Sequence, residues 1–169
     1  MEQFATFDRG GNALGLVARN QVHKRGLWHK SAQVFLFNSK GQMLLQKRAI
    51  DKDLYAGLWD YSVGEHLLPG ESFRQGALRG LSEELDVGDV ELHEIGDVRW
   101  VDLQSPGVQD CEIQQAFVCV FDGAITLDPV EVSAVKFVGL AELEACIVAR
   151  SGQFTPWLLE DLALFRGFF

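Results

Sequence analysis

The sequence predicts an α/β fold: a mixed β-sheet sandwiched between helices. Two strand-like runs and the helices around them carry this expectation. Val34–Phe37 is apolar at consecutive positions, and so is Ala116–Phe121 (AFVCVF). A strand with one wet face alternates, so unbroken apolar runs imply cover on both faces. Between them Phe73, Ala77, Leu78, Leu81 and Leu85 recur at helical spacing, and two further helical stretches close the chain.

In order, residues 1–12 read as a weakly ordered start leading into a short strand, Ala13–Ala18. Asn20–Lys30 is a basic connecting segment holding His23 and His29. Ala32–Phe37 and Met43–Arg48 are strands joined by the Asn38-Ser39-Lys40-Gly41 turn, a hairpin signal. Asp51–Leu58 reads as a loop and Trp59–Val63 as a short strand. Ser72 followed by Gln75 forms a capping-box pair opening the central helix. Val90–Asp97 and Arg99–Leu103 are two strand segments, ended by a turn at Gln104-Ser105-Pro106-Gly107. Glu112–Phe121 is a long strand and Val132–Val138 another. Leu140–Arg150 is a helix stopped near Gly152. Thr155-Pro156 starts the last helix, with Thr as N-cap and Pro at the first position, through Trp157, Leu158, Leu162 and Phe165.

The chain of 169 residues fits one domain over 1–169, with 47% hydrophobic and 23% charged residues, a soluble balance. A net charge of −9 argues against a nucleic-acid polymer or an anionic membrane as partner, while leaving room for a small phosphate ester bridged by metal. The three cysteines, Cys111, Cys119 and Cys146, have no close pair spacing and suit a reducing cytoplasm, Cys119 and Cys146 as core residues. No signal peptide or transmembrane run is expected. Homodimerisation stays open.

The central helix carries Glu83, Glu84 and Asp86 in its last turn. A helix C-terminus is partly negative, so each carboxylate there costs roughly 0.3–1 kcal/mol. A hard cation, Mg²⁺ or Mn²⁺, turns that cost into a binding site; a solvated acidic helix end is the alternative.

From Glu65 to Val87 the chain closely resembles the Nudix box, G-x5-E-x7-R-E-U-x-E-E-x-G-U with U aliphatic, through Glu71, Arg79, Leu81, Glu83 and Glu84. Glu65 stands where the first Gly belongs, Gly80 where a Glu belongs and Asp86 where the last Gly belongs. Gly80, Glu83 and Glu84 lie at i, i+3 and i+4, so position 80 is expected to face the metal with room for a side chain; the alternative is that Gly76 and Gly80, four apart on one face, let another backbone pack close. The resemblance implies the α/β/α sandwich of Nudix proteins.

Beyond the box, HKRGLWHKSAQVFLFNSKGQMLLQKR, GLWDYSVGEH and FTPW resemble the isopentenyl-diphosphate-isomerase-like branch of the superfamily, which holds both isomerases and metal-dependent diphosphate hydrolases. The resemblance implies a metal held by His23 (across a one-residue gap), His29, His66, Asp110 and Glu112. It implies a substrate diphosphate gripped by Arg48 and Lys52, and a pocket wall at Trp157. The chemistry agrees: neutral imidazoles and carboxylates suit a transition metal, and a guanidinium forks onto phosphate oxygens. The isomerases' catalytic Cys is matched by Gly64, and their assisting Tyr by Trp100. Neither replacement can transfer a proton near neutral pH.

The first expectation is therefore a Mg²⁺- or Mn²⁺-dependent hydrolase of a small diphosphate-containing substrate. Glu83, Glu84 and Glu112 serve metal and catalysis, with Glu84 or Glu112 as base, and Arg79 orders the carboxylates by pairing with Glu71 or Glu83. A non-catalytic phosphate-ligand binder and an isopentenyl-diphosphate isomerase are the alternatives.

Overall fold

The computed structural model describes residues 2–105 and 108–165. The chain opens with a hairpin of β1 (Gln3–Phe7) and β2 (Ala13–Ala18), where β1 replaces the weakly ordered start expected. Asp8 closes its turn, Oδ1 accepting from the Gly10 and Asn12 amides at 2.8 and 2.9 Å, and Phe4 anchors it in the interior, 1% exposed. The basic segment that follows is a helix, α1 (Arg19–Arg25), rather than a connection. It has seven residues, no capping side chain at Ala18, and ends on Gly26 at φ 60°. Burial of Val22 and His23, rather than a start signal in sequence, holds it.

Next, β3 (Trp28–Phe37) and β4 (Met43–Arg48) form the expected hairpin, but their register pairs only Phe37 with Met43 before they diverge. The single strand expected over Trp59–Val63 is two, β5 (Trp59–Asp60) against β4 and β6 (Val63–His66) against β3. Buried Ser62 spans the split: its Oγ accepts from Leu36 N at 2.8 Å and donates to Leu44 O at 2.6 Å.

After α2 (Phe73–Leu85), the two segments expected near 90–103 are one strand, β7 (His93–Ser105), with a bulge between Ile95 and Arg99. Pro106 and Gly107 of the expected turn lie outside the described residues. The strand β8 (Val108–Val120) runs antiparallel to β7 and parallel to β3, with His29 beside Glu112, and β9 (Val132–Val138) pairs with β4. The sheet is therefore mixed. Helices α3 (Leu140–Arg150) and α4 (Pro156–Phe165) follow; the side chain of Phe165 lies outside the described residues.

Alternation along β3 divides the core. Val34 and Leu36 pack with Ala77, Leu81 and Leu85 of α2, and Phe35 and Phe37 with Leu143 of α3 and Leu158 of α4. Leu78, expected on the buried stripe of α2, is 38% exposed instead, and Gly76 and Gly80 are buried in that helix. The capping box forms as read: Ser72 Oγ accepts from Gln75 N at 3.3 Å and the Gln75 side chain accepts from Ser72 N at 2.9 Å.

Candidate metal and phosphate site

Four elements bring the expected imidazoles and acids together: His23 from α1, His29 from β3, His66 from β6, and Asp110 with Glu112 from β8. The ligand atoms of His23, His29 and His66 lie within 4.8 Å of one another, as do those of His29, Asp110 and Glu112. His29 Nδ1 donates to Leu27 O at 2.9 Å, because a carbonyl only accepts. Its Nε2 is then a bare lone pair, 3.8 Å from both Asp110 Oδ1 and Glu112 Oε1. His29 Nε2, His23 Nε2 and Asp110 Oδ1 are buried without a hydrogen-bond partner among the described residues. Lone pairs converging on one point are unfavourable unless a cation sits there, so this donor set fits a divalent metal.

Burial lowers all three imidazoles, His23 to about 4 with added repulsion from His66 and Arg19, which keeps them neutral and able to ligate. Burial and the Glu112 charge raise Asp110. Glu112 is held low: burial opposes ionisation, but hydrogen bonds from His66 and Gln114 favour the carboxylate. Outer contacts fix the acids. Trp157 Nε1 donates to Asp110 Oδ2 at 2.7 Å, and Gln114 Nε2 to Glu112 Oε2 at 2.6 Å.

The box acids form a separate set. Arg79 organises them, donating to Glu71 Oε1 at 2.8 Å and Oε2 at 3.0 Å, to His66 O at 2.8 Å and to Glu83 Oε2 at 3.2 Å. It thus pairs with both acids considered for it, and with Glu65 at 3.2 Å besides. The Glu83 side chain is 58% exposed, whereas Glu84 is buried and accepts from Gln46 Nε2 at 3.1 Å. Burial pushes Glu84 up to about 8, aided by the charges of Glu65 and Glu131. Neither close triad includes Glu83 or Glu84, but Glu83, Glu84, His66 and Glu112 line one cavity of about 370 Å³.

Arg48, Lys52 and Trp157 line that cavity too. Arg48 lies over the Trp157 ring at 5.0 Å and donates to Leu54 O at 3.0 Å; Lys52 pairs with Glu131. Sequence reading missed Arg19, Gln46 and Glu131, which no local pattern marks, and treated Glu65 only as a departure.

Residues 27–158 match the family model of the NUDIX domain, most of the chain. The protein belongs to the Nudix family. Among relatives, an isopentenyl-diphosphate Delta-isomerase 2 of Photorhabdus laumondii is 31% identical over 150 residues, covering 89% of this chain and 84% of its own. An uncharacterized Nudix hydrolase of Pseudomonas aeruginosa is 33% identical over 165 residues, covering 97% and 93%. The crystal structure of DR0079 from Deinococcus radiodurans superposes with a TM-score of 0.72 over 88% of this chain and 90% of that one, at 20% identity, a likeness of fold.

The Nudix-box departures now have physical settings. Asp86 is the C-cap of α2 at φ 54°, the left-handed conformation that the box's Gly adopts without strain. Gly80 does not face open space: a Cβ there would lie 2.7 Å from Val63 Cγ1 and 3.0 Å from Glu65 Cβ. The expectation of room for a side chain at position 80 is overturned, because Val63 and Glu65 of β6 pack against Gly80 on α2, as Leu67 just beyond the strand does against Gly76. At the two isomerase positions, a Cβ on Gly64 would lie 3.1 Å from the buried Tyr61 hydroxyl. Trp100 sits on the sheet face opposite Glu112, against Trp28 and 43% exposed.

Proposed function

We propose that this Nudix protein is a divalent-metal-dependent hydrolase of a small diphosphate-linked substrate. One observation carries the reading: acids able to hold metal and cations able to hold phosphate share a single cavity, Glu83, Glu84 and Glu112 with Arg48, Lys52 and Arg19. Its volume, about 370 Å³, suits a small molecule.

His23, His29, His66, Asp110 and Glu112 would hold one cation, and Glu83 and Glu84 would serve the diphosphate-bound one. When bound, Mg²⁺ or Mn²⁺ polarises phosphoryl oxygen and acidifies its water. The chain's own residues do the rest. Leu27 O fixes the His29 tautomer, Trp157 and Gln114 orient Asp110 and Glu112, and Arg79 orders Glu71 and Glu83. Arg48 and Lys52 oppose the charge on the departing phosphate. Glu84 and Glu112 are the two candidates for the base.

Although relatives bear the isomerase name, alkene isomerisation needs acid–base groups on both faces of the substrate. Tyr61 crowds Gly64 and Trp100 lies outside the cavity lining, which supports hydrolysis instead. A panel of diphosphate compounds incubated with Mg²⁺ or Mn²⁺ and read by mass spectrometry tests this. Metal-dependent phosphate or nucleotide release is expected, and isopentenyl diphosphate should take up no deuterium from heavy water. No release from any compound, or deuterium in the alkene, overturns the reading.

A further inference from the structure

Glu65 and Gly80 depart from the Nudix box fifteen positions apart, yet they touch. The box places a Gly on the strand and a Glu on the helix; this chain has the Glu on β6 and the Gly on α2. Between β6 and α2 there is space for one such side chain. A Cβ on Gly80 would come 2.7 Å from Val63 Cγ1, 3.0 Å from Glu65 Cβ and 3.3 Å from Glu65 Cγ. Val63 and the Glu65 stem together fill the gap that a helix side chain at 80 requires.

The carboxylate of Glu65 reaches the same rim. Its Oε1 lies 3.2 Å from Arg79 Nη1, its side chain is 15% exposed, and it lines the cavity beside Glu83, Glu84 and Glu131. Arg79 is already bidentate to Glu71 and bonded to Glu83, and Lys52 is engaged by Glu131. Arg79 and Lys52 are the cations bonded to the group Glu65, Glu71, Glu83, Glu84 and Glu131, and Glu84 is 6% exposed with a neutral amide, Gln46, as its hydrogen-bond donor. A buried carboxylate among so many acids is costly without a further cation.

We infer that Glu65 is a metal ligand replacing the missing box acid: the strand, not the helix, supplies the third carboxylate of the cluster. Substituting both positions at once should therefore restore the metal ligation that replacing Glu65 alone loses. This rests on the hydrolase reading above, and the experiment separates the two.

Mn²⁺ binding is counted by electron paramagnetic resonance in the wild type, Glu65→Gln, Gly80→Glu and the double variant Glu65→Gly/Gly80→Glu, with metal-free melting temperature measured alongside. Glu84→Gln marks the acid-cluster ion and Glu112→Gln the imidazole-bound one. Glu65→Gln, nearly isosteric, should weaken the acid-cluster ion by about tenfold or more while keeping the other. Gly80→Glu alone should melt several degrees lower, since its side chain collides with Val63 and Glu65. The double variant should regain the acid-cluster ion and the part of the melting temperature lost to the Glu65 contact, while the Val63 contact remains. Wild-type Mn²⁺ affinity in Glu65→Gln, tighter binding in a stable Gly80→Glu, or a folded double variant lacking that ion overturns the exchange but leaves the hydrolase reading standing. A wild type with no ion sensitive to Glu84→Gln overturns both.

Discussion

Asp60, Asp86 and Glu84 are three acids in unfavourable places, and each place has a separate reason. Asp60 is 2% exposed; its Oδ1 accepts from Thr155 Oγ1 at 2.6 Å and from Tyr61 N at 3.0 Å. Burial raises it to about 6, although Arg48 and these hydrogen bonds oppose the rise. A carboxyl raised on folding stabilises fully below its unfolded value, and that contribution is lost as pH climbs through about 6. Asp60→Asn, which keeps the acceptor, should therefore be more stable than the wild type at pH 8. The advantage, on the order of 2 kcal/mol, should disappear by pH 4; parallel urea titrations at both pH values check it, and a pH-independent difference would contradict it. Asp86 is an exposed residue in the left-handed region at a helix C-terminus. Asp86→Gly removes both strain and an unfavourable charge, so stability should rise by about 1 kcal/mol, seen as a higher melting temperature. Glu84→Gln should keep the bond with Gln46 available yet lower metal-dependent turnover at least about tenfold, about 1.4 kcal/mol of barrier. Turnover equal to the wild type would remove Glu84 from the site.

At the scale of elements, a buried threonine at its N-cap helps tie α4 to the sheet. Thr155 Oγ1 accepts from Leu158 N at 3.1 Å as N-cap and donates to Asp60 on β5, with no exposure to solvent. That orientation sets Trp157 over Arg48 and against Asp110, so the cap of a helix positions two walls of the cavity. Thr155→Val keeps the shape and removes both bonds; a loss of about 2 kcal/mol is expected by denaturant unfolding, with Thr155→Ser recovering most of it. The small-residue stripe of α2 acts similarly. Glycine lowers helix stability, yet Gly76 and Gly80 admit Leu67, Val63 and Glu65 to the helix surface, which brings β6 and its His66 to the site.

Across the whole molecule, the imidazole and carboxylate set joins α1, β3, β6 and β8, segments separated by up to about ninety residues of chain. An ion bound there crosslinks the first quarter of the protein to the sheet centre. Mn²⁺ at a hundred times its dissociation constant should stabilise by about 2.7 kcal/mol, and a chelator should reverse the gain. His29→Ala should abolish most of it. A melting temperature indifferent to Mn²⁺ and to chelator in the wild type would count against a metal at this set.

By itself the sequence determined the pieces whose signals are local. The capping box of α2 joins residues three apart, the Thr-Pro start of α4 two adjacent ones, and β4, β9 and α3 follow from periodicity inside their own spans. The box spacing likewise marks Glu71, Arg79, Glu83 and Glu84 as one group, because helical geometry and one arginine relate them. Tertiary structure alone decided what depends on partners distant in sequence. The run Trp59–Val63 splits because β5 and β6 find different neighbours, and α1 forms because Val22 and His23 have an interior to enter. Glu65 reads as a defect in the box until β6 lies across Gly80. A residue's type and spacing say what chemistry it can do, but the space its side chain enters is set by which strands pair and which helix covers them.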